Sequence, residues 1–371
     1  MTRKRASEAV NDMKTKTEFP FHPVTAYKKF TKRKWYIIFL LLFLLLLLAV
    51  MALNAGSSHI TLSEVVQAVF AKGDGFSQIV IWEIRLPRIL AGIIVGIGLA
   101  VAGAVMQNNL RNPLASPSTL GISNAAAFGA NVAIVLLGAG SIQSQAQDAV
   151  FINNPYMVAV SAFLSSMAAT VVILLLARIR RFSPESIVLA GVALGSLFTA
   201  GTTLIQYFAE DVQVAAAIFW TFGDLGRVSW NEIIILAVVI GCSLIYFMFR
   251  RWDYNALDGG EETAKSLGVH VERVRLEGMV ISSLITAVSV SFLGMIGFIG
   301  LIAPHIMRRL IGNDHRFLIP ASSLMGAVIL LFSDTVARTL ISPVVLPVGA
   351  ITSFFGAPLF LYLLIRGDKS R

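Results

Sequence analysis

Three stretches of this 371-residue chain carry side chains able to do chemistry. In VILLFSDTVART, Asp334 is the one clear carboxylate inside an apolar run, and Arg338 follows four residues later, a spacing that places an ion pair on one helix face. In MQNNLRNPLASPSTLGIS, Met106 to Ser123, amides, one arginine, two prolines and small hydroxylated residues interrupt two charge-free segments. In ALDGGEETAKSLGVHVERVR, Ala256 to Arg275, Asp258 and Glu261 have the spacing of an N-terminal cap pair, and Gly268 suits a helix stop. No nucleophile stands beside a base, and the five histidines, at 22, 59, 270, 305 and 315, have no ligand spacing. The single cysteine, Cys242, rules out an intrachain disulfide, and the absence of a GxxxxGK[ST] loop rules out ATP binding by that route.

The elements that must hold these residues are set by composition. Hydrophobic residues make up 56% of the chain and charged residues only 14%, against about a quarter charged in soluble domains. Residues 36–53, 89–107, 113–138, 156–177, 186–208 and 279–307 contain no Asp, Glu, Lys or Arg, and about 20 such residues suffice for a helix to cross a bilayer. The chain therefore reads as an all-α polytopic membrane protein. Its predicted spans are 36–53, 87–107, 114–138, 156–178, 185–208, 231–250, 275–293, 297–311, 317–338 and 347–365. Met279 to Met307 would measure about 43 Å as one helix, too long for a single untilted span, so Gly294 and Gly297 are expected to break it.

Charge placement tests the count of ten. With the N-terminus inside, the cytoplasmic side receives ten basic residues before Trp35. It also receives Arg111, Arg178, Arg180, Arg181, Arg250, Arg251, Lys265, Arg273, Arg275, Arg308, Arg309, Arg316, Arg366, Lys369 and Arg371. Only Lys72, Arg85, Arg88, Arg227 and Arg338 fall outside. The net charge of +9 thus recurs at helix ends, which argues against nucleic acid as a partner. Residues 1–34 read as a basic, disordered cytoplasmic leader and 35–371 as one transmembrane domain. TLSEVVQAVF, with Thr61 and Glu64 as a capping box, reads as an amphipathic helix on the outer surface.

An ion-coupled secondary transporter should carry acids or histidines at mid-membrane, and this chain does not. The spans are instead rich in small residues, as in GIIVGIGLAVAG (Gly92 to Gly103), which fits close helix packing. In AGVALGSLFTAGTT, Ser196, Thr199, Thr202 and Thr203 fit either packing or the lining of a wide, weakly sticky passage.

Five ordered strings now bear on function: RLPRILAGIIVGIGLAVAGAVMQNNLRNPLASPSTLGISNAAAFGA, ESIVLAGVALGSLF, GEETAKSLGV, GFIGLIAPHIMRRLIGNDHR and LPVGAITSFFGAPLFLYLL. They closely resemble the FecCD-type permeases, membrane subunits of binding-protein-dependent ABC importers for ferric siderophores, haem and cobalamin. The likeness runs from about residue 58 to the C-terminus. It implies a type II ABC importer permease fold of ten helices in the bacterial cytoplasmic membrane, with both termini inside. It further implies a second permease, identical or related, and two ATPase subunits that bind ATP and Mg. An extracytoplasmic substrate-binding protein completes the assembly, and this chain itself is no enzyme and binds no cofactor or metal.

By the same resemblance, a segment of about residues 255–274 is the ATPase-coupling element, with Asp258, Glu261, Glu262, Ala264, Lys265, Leu267 and Gly268. Arg85, Arg88 and Arg338 match the positions that meet acidic residues of the binding protein; the sequence equally allows Arg338 to pair with Asp334. Asn112, Pro113 and Leu114, with Ser183, Pro184 and Glu185, are assigned to the cytoplasmic gate. Ser196, Thr199, Thr202 and Thr203 are assigned to the translocation path. Ferric siderophore is the leading cargo, with cobalamin or haem as alternatives.

Overall fold

A computed structural model describes residues 23–56, 62–69, 75–139, 152, 154–179 and 183–367. Each of the ten predicted spans is a helix: α1 (Pro23–Asn54), α3 (Leu86–Asn109), α4 (Ile122–Asn131), α5 (Pro155–Ile179), α6 (Pro184–Tyr207), α8 (Trp230–Phe249), α11 (Val271–Leu293), α12 (Ile299–Ile311), α13 (His315–Thr339) and α14 (Val348–Gly367). Seven of these are long and apolar enough to cross a membrane, while α4 and α12 are shorter and the apolar stretch of α14 runs over Val348–Tyr362. Between them lie α2 (Leu62–Val69), α7 (Asp211–Thr221), α9 (Arg251–Asp258) and α10 (Glu261–Ser266).

Three boundaries differ from the sequence reading. Helix α1 begins at Pro23, so the later part of the supposed disordered leader is helical; residues 1–22 lie outside the described residues. Helix α4 begins at Ile122 rather than 114, although the intervening residues carry no charge. There Ser116 and Thr119 exchange main-chain-to-hydroxyl bonds (Ser116 N to Thr119 Oγ1, 2.9 Å; Thr119 N to Ser116 Oγ, 3.2 Å), and Gly121 turns the chain at φ +80°. Short hydroxyl side chains of this kind compete with helix for the backbone donors. The third difference is at α10, whose N-cap is Gly260, so Asp258 and Glu261 form no cap pair.

The predicted break in 279–307 is real. Helix α11 stops at Leu293, Gly294 takes φ +78°, and α12 starts at Ile299. The second left-handed residue is Phe298, at φ +66°, rather than Gly297. Main-chain bonds stitch this break to its neighbours: Asp224 N donates to Leu293 O (2.9 Å) and Met295 N to Thr221 O (3.4 Å). Irregular backbone at such depth is tolerated because protein satisfies it.

Helix α2 packs as an amphipathic element, Val65 and Ala68 buried against Val80 and Ile81 while Glu64 faces out. The Trp82 indole donates to Ala68 O (3.0 Å). The Thr61 cap lies outside the described residues.

Helix α3 is the centre of the bundle. It packs against α13, α11, α12 and α8, and from Gly98 to Asn109 every residue is buried. The small residues decide how closely: a Cβ on Gly103 would overlap the Gly300 carbonyl of α12, and a Cβ on Gly96 would stand 2.6 Å from the Gly326 carbonyl of α13. Backbone meets backbone at both crossings, the arrangement small-xxx-small faces permit. Gly103→Val is therefore expected to force α3 and α12 apart at a cost of about 1–3 kcal/mol or more. Thermal unfolding in detergent checks this, and Gly75→Val, where nothing lies within 4 Å, should leave the midpoint nearly unchanged.

Candidate functional site

The ion pairs and the buried amides gather at the two ends of α3, while the predicted Ser183–Glu185 turn and the hydroxyl residues 196–203 belong to α6. At the N-terminal end of α3, Pro87 is the second residue of the helix and Arg88 follows on the same first turn, beside the C-terminal part of α13. Arg88 Nε donates to Asp334 Oδ1 (2.8 Å), and Arg338 Nε donates to Asp334 Oδ2 (3.0 Å). Arg88 Nη2 lies 3.0 Å from Asp224 Oδ1, an ion pair set off the hydrogen-bonding axis. Asp334 is fully buried, and Arg85, Arg88 and Arg338 are each less than one-tenth exposed. Arg338 Nη1 also donates to Ala55 O (2.7 Å), and Arg85 Nη1 to Leu53 O (2.5 Å). Two arginines thus satisfy carbonyls that α1 leaves open at its C-terminal end, where the helix dipole favours cations.

Of the two roles open to Arg338, pairing with Asp334 is observed. With Gly56, Val80, Ile84, Pro343 and Val345, the three arginines line a depression of about 160 Å³. Asp224, which shares Arg88, was not singled out in the sequence, for it lies far along the chain in an unremarkable loop.

At the other end of α3 lies the supposed coupling segment. Helix α10 is exposed at Glu262, Lys265, Leu267 and Gly268, with Leu267 67% exposed, an apolar tip on a polar element. Ala264 is fully buried. Glu261 is held from both sides, by Lys265 Nζ (3.0 Å) and by the buried Arg275 Nη1 of α11 (3.1 Å), and the Lys265 hydrogen bond keeps its carboxyl below the ordinary glutamate range. Gly268, at φ +81°, ends the helix as the sequence predicts. Asp258 instead ends α9, and its Oδ1 accepts from Asn108 Nδ2 (2.6 Å). Burial raises its carboxyl above the usual aspartate value against the pull of Arg308, Asn108 and Arg111.

The amides Gln107, Asn108 and Asn109 are the residues whose role the sequence did not disclose. Three amides closing a charge-free span were a visible signal; their partners, distant in sequence, were not. All three are buried, and each reaches a different element. Gln107 Nε2 donates to Gly300 O (3.3 Å), Asn108 Nδ2 also to Tyr254 O (3.2 Å), and Asn109 Nδ2 to Arg275 O (3.3 Å).

The two turns assigned to a gate are each closed locally. Asn112 Oδ1 accepts from Leu114 N (2.9 Å), with Pro113 and Leu114 exposed. Ser183 occupies the N-cap of α6 and Pro184 its first position, but the Ser183 hydroxyl donates to Glu185 Oε2 (2.7 Å) instead of capping a backbone N–H. Ser196, Thr199 and Thr203 line a groove of about 430 Å³ together with Ser118, Thr119 and Asn124. Thr202 is half-buried and donates to Phe198 O (2.9 Å). The groove lies on α6, the least buried of the long spans: 17% of its window is buried, against 78% for the span containing α3.

This arrangement has relatives. The sequence model of the FecCD transport family matches residues 42–366. A protein of Methanocaldococcus jannaschii, assigned provisionally as an ABC transporter permease, is 59% identical over 92% of this chain and 98% of its own length. The hemin transport system permease of Yersinia pestis is 37% identical (78% of this chain, 85% of that one), and the Fe(3+)-citrate import system permease of Bacillus subtilis 36% (90% and 96%). A solved inward-facing ABC transporter, assigned provisionally to the metal-chelate type, superposes with a TM-score of 0.78 at 31% identity, covering 89% of this chain and 99% of that one.

Fold and relatives together define an ABC importer permease with the type II helical architecture. The chain belongs to the FecCD transport family.

Two stability predictions follow from the clusters. Asp334→Ala leaves Arg88 and Arg338 facing each other in a buried site and should cost about 3–5 kcal/mol, read as a lower unfolding midpoint in detergent. Asp314, the N-cap of α13, is the second case. Burial alone would raise its carboxyl, but hydrogen bonds from Arg316 and Asn255 bring it down to about 2. A depressed carboxyl stabilises the fold above its unfolded value and loses that contribution as pH falls toward the folded one. The gap in melting temperature between the parent and Asp314→Asn should therefore be full near pH 7 and close between about pH 4 and pH 2.

Proposed function

We propose that this permease carries a ferric chelate, with ferric siderophore the leading cargo, into the cell by ATP-driven alternating access. Two permease chains, identical or related, flank the path in the cytoplasmic membrane. Both termini lie inside, two ATPase subunits that bind ATP and Mg sit beneath, and a substrate-binding protein docks outside. This chain supplies neither a catalytic group nor a cofactor site. The observation that carries the reading is α10, a short charged helix that buries Ala264 against the bundle, exposes Leu267 at its tip and is tied to α11 through Glu261 and Arg275. Such an element fits the cleft of a partner and passes its motion to the spans.

Iron leads among cargoes because similar permeases are named for hemin and for Fe(3+)-citrate. The groove supports a cargo whose metal is already wrapped, since its lining is hydroxyl, amide and small apolar side chains without a carboxylate or imidazole. Cobalamin is the alternative. The Lys- and Arg-rich end, with the leader, faces the cytoplasm by the positive-inside rule.

The arginine-lined depression is where we expect an acidic side chain of the binding protein to seat. Arg88 and Arg338 share the carboxylate of Asp334, whereas Arg85 is bonded to the main-chain carbonyl of Leu53, so the discriminating variant is Arg85→Gln. It should weaken docking by about tenfold, the worth of one charge-assisted bond, with ATPase co-purification unchanged. Leu267→Asp with Gly268→Asp should abolish both transport and ATPase co-purification while the spans stay folded by circular dichroism. Cellular accumulation of labelled ferric siderophores, haem and cobalamin, with and without the gene, assigns the cargo: a loss confined to one chelate names it, and no loss for any iron chelate removes the iron reading.

A further inference from the structure

We propose that Asn108 is a positioning residue for transport. Its hydrogen bond to Asp258 joins α9, the arm that carries α10, to the gate turn, so that movement of α10 reaches Asn112–Leu114 through the end of α3. The inference rests on the coupling and gating roles proposed above.

Three contacts join the arm to the end of α3 within four residues of each other. Asn108 Nδ2 donates to Asp258 Oδ1 (2.6 Å) and to Tyr254 O (3.2 Å), and Arg111 Nη2 donates to Leu257 O (3.4 Å). Asn108 is 5% exposed, while Tyr254 and Leu257 are buried beside it. Arg111, at φ +45°, immediately precedes Asn112 and opens the turn. Between Asp258 and α10 stand only Gly259 and Gly260, the latter at φ +114°, so the arm's end and the root of α10 move as close neighbours. A second tie, Glu261 to Arg275, leads from α10 into α11 and returns to the end of α3 only through the main chain, where Asn109 Nδ2 donates to Arg275 O (3.3 Å). Among the described contacts between the end of α3 and residues 254–275, only Asn108–Asp258 joins two side chains, so it is the link that can be exchanged reciprocally.

Asn108 has an unused acceptor, since its Oδ1 is buried without a partner. Its part is therefore that of a donor to the arm, and the geometry demands a donor opposite an acceptor. This sets a reciprocal test. Asn108→Leu removes the donor at similar volume, Asn108→Asp places two carboxyl groups together, and Asn108→Asp with Asp258→Asn restores a donor–acceptor pair with the roles exchanged.

The experiment uses the full complex with its ATPase and binding protein, reconstituted in liposomes, in a Cys242→Ser background. Leu114 is 42% exposed, so a maleimide reaches a cysteine placed there. ATP hydrolysis and chelate uptake are measured in the same complexes with Leu114 intact, and the ATP-dependent change in labelling rate at position 114 with Leu114→Cys present. The expected result is that Asn108→Leu and Asn108→Asp assemble and hydrolyse ATP, yet lose the ATP-dependent change at 114 and about tenfold or more of uptake per ATP, as for loss of one charge-assisted bond. The double variant should recover both.

Asn108→Leu that keeps the labelling change and the uptake ratio overturns the proposal. So does failure of the single variants to assemble or to hydrolyse ATP, which would make the amide merely structural. A double variant no better than Asn108→Asp also overturns it. A parent complex that hydrolyses ATP and imports chelate without any change at 114 fails differently: it removes the gate assignment, and the link falls with it.

Discussion

A bilayer offers no water to a polar group, and α3 meets that constraint by carrying nothing polar between Arg88 and Gln107. What the helix lacks in its length it concentrates at its ends. Arg85 and Arg88 bind one end to α1, α13 and the loop of Asp224; Gln107, Asn108 and Asn109 bind the other to α9, α11 and α12. Glycines press the length between these fastenings against α12 and α13. The rest of the fold is arranged around a central rod fixed at its two tips.

The surrounding helices divide accordingly. Those packed on α3, notably α11 and α13, are largely buried, whereas α1 and α6 present most of their surface outward. The groove and the hydroxyl residues lie on the outward set, and the ion pairs lie on the inward set. Asp334 needs two arginines because a lone buried carboxylate, or a lone buried guanidinium, is far costlier than the pair. Arginine suits the place because its planar fork reaches a carboxylate and a helix carbonyl at once, as Arg338 does with Asp334 and Ala55.

The sequence disclosed the features that depend on near neighbours. Apolar runs, six of them without any charge, located all ten spans, Gly294 marked the break, and the spacing of Asp334 and Arg338 announced their pair. It failed where the partner lies far along the chain. Asp334 is 246 residues from Arg88 and Asp258 is 150 from Asn108, and no local pattern reports such meetings. The cap expected of Asp258 was a local inference defeated by a better distant donor. The start of α4 was misplaced for the opposite reason: hydropathy alone carried the span back to 114, while Ser116 and Thr119 had already spent the backbone donors on a turn.

The threonines of α6 have a consequence for anything that touches them. Thr199, Thr202 and Thr203 each give their hydroxyl proton to the carbonyl four residues back, and the Asn124 amide spends its hydrogens on Gly195 O and Thr199 Oγ1. The groove-facing members of this set therefore meet the surroundings chiefly with lone pairs. At Thr199, Thr203 and Asn124 an oxygen-rich anion finds few hydrogens to hold, so this part of the wall is wettable yet poor at gripping, because the helix consumes its own donors.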